Sequence, residues 1–155
     1  MELKENGKTI IMSQSLAMAR FLANRFGLAG KNEQDKAFVE MYAEQTRDLQ
    51  EEFMKIRFEN DETKKGELFN KYFNEHLPKN LNFFETRLVK NGTGFLVGDS
   101  LTWADLYVYF VVTWVENPQA KEALNKTPHV QKLIQKVTSN TGVAAYLKNR
   151  PVTDF

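Results

Sequence analysis

No cysteine occurs among the 155 residues. That absence excludes a disulfide framework, a thiolate metal site and a cysteine nucleophile, and it fits a reducing compartment. Histidine is nearly absent too. His76 and His129 are the only two. They are far apart and have no neighbouring ligand set, so they read as surface or helix-end residues, and no metal site is expected. Charge of one sign is also lacking: 21 Lys+Arg against 20 Asp+Glu leave +1. Nucleic acid or an anionic membrane as partner demands a basic excess that is not there. No apolar run approaches the roughly 20 residues that span a bilayer. The first stretch, MELKENGKTI, is charged and lacks the apolar core of a signal peptide. A soluble, cytoplasmic protein is expected, with no nucleic-acid and no membrane partner.

What is present is ordinary globular usage, with 42% apolar and 26% charged residues, against disorder. The length gives one domain, or one and a fragment, and is enough to bury a core without staples. Phenylalanine is over-used, at 12 residues, which points to an aromatic-rich core or an apolar ligand pocket. There is no internal repeat, low-complexity tract or heptad run.

The first dozen residues read as a β-hairpin. Glu2-Leu3-Lys4 alternates, Asn6-Gly7 suits a type I′ turn whose two central residues need φ > 0, and Thr9-Ile10-Ile11-Met12 suits the return strand. Helical periodicity follows. Ser13 or Gln14 opens a helix through Leu16, Ala19, Ala23 and Phe26, stopped by Gly27. Leu28-Ala29-Gly30 is a short linker and the chief boundary. A long helix is predicted from about Glu33 to Phe58, with Phe38, Met41/Tyr42, Leu49, Phe53 and Ile56 inward. A second, from about Glu62 to Val89, keeps its apolar stripe in register past Pro78, so it reads as one kinked helix. Asn91 to Gly94 is a turn, and Phe95-Leu96-Val97 a buried extended segment. Thr102-Trp103-Ala104-Asp105 is a capping box opening a helix with little polar surface, expected to be the central one. Thr127-Pro128 caps a further helix with Val130, Leu133/Ile134 and Val137 inward. A short helix over Val143 to Leu147 ends regular structure before Arg150-Pro151.

Taken singly, few of these features carry chemistry. Gln14-Ser15 at a helix N-terminus has free N–H groups and a dipole that favour a carboxylate; equally, Ser13 or Ser15 serves as a plain cap. Asp48, in Gln45-Thr46-Arg47-Asp48, reads locally as a solvated helical carboxylate. The Thr102–Asp105 box is a structural device.

Taken in order, they resemble a known family. Gln14-Ser15-Leu16-Ala17-Met18-Ala19-Arg20-Phe21-Leu22 followed by Phe26-Gly27-Leu28-Ala29-Gly30 is similar to the glutathione transferases, closest to their sigma class. Phe95-Leu96-Val97-Gly98-Asp99-Ser100-Leu101-Thr102-Trp103-Ala104-Asp105-Leu106-Tyr107 resembles the family's buried helix and its capping box. Gly142 to Pro151 is similar to the sigma-class end. The resemblance covers nearly the whole chain.

It implies a mainly α protein: a β-hairpin plus helix from a thioredoxin-like, glutathione-binding domain over 1–28, then an all-helical C-terminal transferase domain over 31–155. It implies glutathione as co-substrate, with Gln14 and Ser15 holding the γ-glutamyl end. Asp48 would reach across a homodimer to the γ-glutamyl amine, a charge-assisted contact. The electrophile pocket would have Gln50, Phe53 and Met54 on one wall and Tyr107, Val111 and the terminal Phe155 on the other. The activity implied is attack of the glutathione thiolate on small hydrophobic electrophiles, a detoxification, or isomerisation of a prostaglandin-like endoperoxide. The family pattern also has a first strand followed by a tyrosine, whose hydroxyl favours the thiolate. The residues here match the family only from near its third strand, and Tyr42, Tyr72, Tyr107, Tyr109 and Tyr146 all fall in the helical part. A catalytic tyrosine is therefore expected to be missing from this chain. The alternative is a non-catalytic binding or structural protein on the same scaffold, like the related lens crystallins.

Overall fold

The computed structural model describes residues 1–114 and 117–151; Phe155, a candidate pocket residue, lies outside them. The chain is mainly α. A two-stranded antiparallel sheet comes first, β1 (Glu2–Glu5) and β2 (Lys8–Ile11), with Leu3 opposite Ile10. Asn6 and Gly7 take φ of 50° and 72°, the positive values a type I′ turn requires. Helix α1 (Ser15–Arg25) follows, then α2 (Glu33–Phe58) with the expected bounds. Asn32 caps α2 by accepting from the Asp35 N–H at 2.8 Å. Between α1 and α2 the chain turns at Gly30, φ 104°, where an added Cβ would stand 2.8 Å from the Asp35 side chain.

The stripe over 62–89 resolves into three consecutive pieces: α3 (Glu62–Lys71), one π-helical turn (Tyr72–His76) and α4 (Leu77–Asn91). The Leu77 N–H reaches back five residues to the Tyr72 carbonyl. Pro78 has no N–H to give, and in α geometry its ring would press on the carbonyl four residues back. The widened turn just ahead of it removes that clash, so the helix passes the proline without breaking.

In Phe95-Leu96-Val97, Leu96 and Val97 are buried as expected and Phe95 only partly, and the segment is not extended. It runs through a series of bends, because the Asn91 side-chain amide donates to the Phe95 and Gly98 carbonyls at 2.9 and 2.7 Å and curls the loop. Helix α5 (Trp103–Thr113) opens on the expected capping box. The Asp105 carboxylate accepts from the Thr102 N–H and hydroxyl at 2.8 Å each, and from the Leu96 N–H at 2.9 Å. It therefore ties the loop to the helix start as well as capping it. Trp103, Ala104, Val108, Val111 and Val112 are buried, and α5 packs most extensively on α2.

Helix α6 (Pro118–Asn125) has no counterpart in the sequence pattern. It is short, it buries only Ala120 and Ala123, and Asn117 caps it by accepting from the Gln119 N–H. Helix α7 (Pro128–Ser139) buries Val130, Leu133 and Val137, and α8 (Thr141–Asn149) starts two residues earlier than its apolar pattern. Thr127 precedes α7, yet its hydroxyl donates backward to the Leu124 carbonyl at 3.1 Å. Glu85, from α4, does the capping.

The core is built from α2, α4, α5 and α7. Val39, Leu49, Leu81, Phe84, Leu88, Val108, Val130, Leu133 and Val137 are sealed from solvent, each contributing about 1.5–3 kcal/mol of burial. Helix α1 and the linker after it join this body through the buried Ala23, with Leu16 and Ala19 packed beside it, and through charge and backbone contacts. Arg20 bonds Glu40 Oε2 at 2.6 Å and Glu44, and the Trp103 N–H donates to the Leu28 carbonyl at 2.9 Å.

Candidate functional site

The residue before α1, Gln14, holds φ 69° and ψ 111°, a conformation a non-glycine residue rarely takes. No side chain caps the helix behind it. Neither Ser13 nor Ser15 plays the capping role that local chemistry allows, and the first-turn amides of α1 are left to whatever approaches from outside. Gln14 and Ser15 are both exposed there.

Opposite stands one stripe of α2. Arg47, Gln50, Glu51 and Met54 follow one another at i, i+3, i+4 and i+7, so they share a helix face. Tyr107, from α5, closes the third side. These residues, with Gln14, Ser15, Leu16 and Arg20, surround one cavity of about 430 Å³. Its wall is braced by charge. Glu44 bridges two arginines, bonding Arg20 and lying 3.0 Å from Arg47, and Glu51 lies 3.3 Å from Arg47. The spacing of Glu44, Arg47 and Glu51 along α2 is the sequence signal that would have found this network; its link to Arg20 joins residues more than twenty positions apart. The Tyr107 hydroxyl donates to the Gln50 side-chain oxygen, and the ring stacks on Trp103 at 6.2 Å. Burial pushes the Tyr107 phenol up to about 12, so it stays protonated near neutrality.

Of the sequence candidates, Gln14, Ser15, Gln50, Met54 and Tyr107 come together. Asp48 is exposed, next to the cavity stripe but not in it. Phe53 is turned toward Tyr72 and Trp114, with ring centroids 5.4 and 5.8 Å away. Val111 is buried in the core. Neither lines this cavity.

A larger cavity, about 570 Å³, lies between α5 and α8, and an apolar groove of about 380 Å³ lies between α1 and α5. Both are lined mainly by apolar side chains. The polar cavity joins an open helix N-terminus to neutral donors and acceptors. Its lining holds no histidine or cysteine. Among the described residues, no group of three or more His, Cys, Asp or Glu is placed to hold a metal ion, and no helix is long and apolar enough to cross a membrane.

Comparison with known proteins is consistent across sequence and structure. Residues 47–150 match the family model for the glutathione S-transferase C-terminal domain. A glutathione S-transferase of Anopheles gambiae is 30% identical, the match covering 98% of this chain and 73% of that protein. S-crystallin 2 of Enteroctopus dofleini is 32% identical over 92% of this chain and 71% of its own length. Among solved structures, prostaglandin synthase D of Nilaparvata lugens superposes with a TM-score of 0.84 at 29% identity, over 98% of this chain and 74% of that one.

Proposed function

The chain belongs to the glutathione S-transferase family, and from that premise we propose that it binds glutathione across the α1–α2–α5 cavity and presents the thiolate to a small electrophile. The γ-glutamyl carboxylate meets the open first turn of α1, between the Gln14 side chain and Ser15. The cysteinyl sulfur then points toward Gln50, Met54 and Tyr107. In the transfer, the sulfur lone pair forms the S–C bond at the electrophilic carbon. The electrons displaced leave with a departing group or move onto the electrophile's acceptor atom. The observation that carries this is the uncapped start of α1 facing the same cavity as Gln50, Met54 and Tyr107.

The finer parts of the proposal rest on sigma-class resemblance. The division at residues 29–30 separates the glutathione-binding part from the helical part. Asp48, exposed beside the cavity stripe, reaches the γ-glutamyl ammonium of a second protomer in a homodimer. The setting is cytoplasmic and the role is detoxification. Tyr107 does not activate the sulfur, because its hydroxyl is already donated to Gln50.

That last point supports a second reading, a binding or structural protein like the S-crystallin relative. Two measurements separate the readings. Calorimetry with glutathione tests the site: binding that weakens in Gln14→Ala/Ser15→Ala supports it, and no binding by the unaltered chain ends it. A conjugation assay with an aromatic electrophile then tests turnover; binding without turnover favours the structural reading.

A further inference from the structure

The dipeptide Asn-Gly occurs twice in the chain, at Asn6-Gly7 and at Asn91-Gly92. In either place the side-chain amide carbon lies within reach of the next backbone nitrogen, and glycine has no side chain to shield that nitrogen. The fold treats the two pairs differently. At Asn91 both reacting ends are tied. Its side-chain nitrogen donates to Thr93 Oγ1, the Phe95 carbonyl and the Gly98 carbonyl at 2.7, 2.9 and 2.7 Å. The Gly92 N–H donates to the Leu88 carbonyl at 3.0 Å as α4 ends. At Asn6 neither end is tied. Asn6 and Gly7 are both exposed, and among the described residues neither the Asn6 side chain nor the Gly7 N–H has a hydrogen-bond partner. A Cβ added at Gly7 would meet no atom within 4 Å, so the space around the turn is open. The turn itself, with φ of 50° and 72°, has to relax for the two ends to meet. A two-stranded hairpin opens at little cost, whereas freeing Asn91 means undoing the end of α4 together with the loop it holds.

We propose that Asn6 is a site of spontaneous covalent modification, converting to aspartyl and isoaspartyl forms through a cyclic imide with Gly7, while Asn91 keeps its amide. The Gly7 nitrogen gives up its proton to solvent and attacks Asn6 Cγ. The N–Cγ bond forms, the Cγ–Nδ2 bond breaks, and Nδ2 leaves as ammonia with a proton taken back from solvent. Water then opens the ring. Addition at Cγ gives aspartate in the ordinary chain. Addition at the main-chain carbonyl carbon of residue 6 gives the isoaspartyl link, in which the chain runs through Cγ. One water is consumed, one ammonia is released, and nothing is oxidised or reduced. Aspartate suits the same turn. The isoaspartyl link puts a further methylene into a two-residue turn whose length sets the pairing of Glu5 with Lys8. Glu5 is also the hairpin's tie to α1, 2.7 Å from Arg25, so conversion loosens the hairpin from the helix. This site is independent of the glutathione reading.

Peptide mapping by mass spectrometry, on the full chain held at mildly alkaline pH, follows both sites in one sample. Asn6 is expected to take on the mass of the acid while Asn91 lags by about a hundredfold, the product of three net hydrogen bonds at about fivefold each. In guanidinium chloride, with the fold removed, the two sites are expected to convert at similar rates. Equal rates in the folded chain, or an Asn6 that persists there while both sites convert in denaturant, overturns the proposal. A lag at Asn91 that survives denaturant belongs to the local sequence and overturns the role of the fold. The separated isoaspartyl chain is expected to exchange the amides of residues 2–11 faster than Asn6→Asp, which carries the same charge on an ordinary backbone. Equal exchange in those two chains overturns the loosening of the hairpin.

Discussion

The carboxylate of Glu85, on α4, accepts from the backbone N–H of His129 at 2.9 Å and so closes the N-terminus of α7, forty-four residues along the chain. The same carboxylate accepts from the Val130 N–H at 3.0 Å and stands 2.7 Å from His129 Nδ1. One acidic side chain thereby does for α7 what Asn32 does for α2 from its own neighbourhood, and it also fixes the angle between two core helices.

Burial alone would raise the Glu85 carboxyl, but the His129 ring and the two amides outweigh that and hold it below the ordinary glutamate range. A depressed folded-state pKa contributes stability above the unfolded value, about 4.3, and loses it as pH falls through the folded value. Glu85→Gln is therefore expected to cost about 1–2 kcal/mol near neutrality. Urea midpoints should show the gap to the unaltered chain narrowing as pH drops below 4. A gap that is constant from pH 7 to pH 3 contradicts the capping role.

Asp105 is sealed from solvent and accepts three hydrogen bonds. Its removal in Asp105→Ala orphans two buried backbone N–H groups, Leu96 and Thr102, each costing about 1–3 kcal/mol. A loss of about 3 kcal/mol is expected in equilibrium unfolding. Thr102→Ala removes a single hydroxyl and is expected to cost about a third of that.

Gln14 combines an exposed position with a positive φ. Backbone strain of this kind is tolerated where function holds it. Gln14→Gly relieves it, and is expected to raise stability by up to about 1 kcal/mol while weakening glutathione affinity in calorimetry. A variant that loses both stability and affinity would place Gln14 in the structure and not in the site.

The hairpin has two strands, and every residue of β2 is exposed, Ile11 at 83%. A lone hairpin is marginal in water. Amides of residues 1–12 are expected to exchange faster by orders of magnitude than those of 104–112 in α5. Equal protection of the two segments refutes this.

The features legible from sequence are those written in neighbouring residues. Asn6-Gly7 encodes its own turn, Gly27 marks a helix limit within a few positions of itself, and Thr102 and Asp105 face each other because they are three apart on a helix. The period of α7 separates its buried Val130, Leu133 and Val137 from its exposed lysines. Gln14 and Ser15 were visible for the same reason, a polar pair at a helix start. The π turn was not, because the widening ahead of Pro78 is one of several ways a helix can pass a proline, and the core around Tyr72 and Phe73 selects among them. Helix α6 was missed because its inner face is alanine and hardly differs from a loop in hydropathy.

By itself, then, the chain's order of residues settled which segments other than α6 are helical, where most of them begin, and which family they belong to, since those depend on interactions within a turn or two. Only the packing of α1, α2 and α5 decided that Gln50 and Met54 face Gln14 while Phe53 turns to Tyr72, that Arg20 meets Glu44, and that Glu85 caps α7. A helix period fixes which residues share a face; it does not fix which neighbour that face meets, and the neighbour is chosen by the burial of the whole core at once.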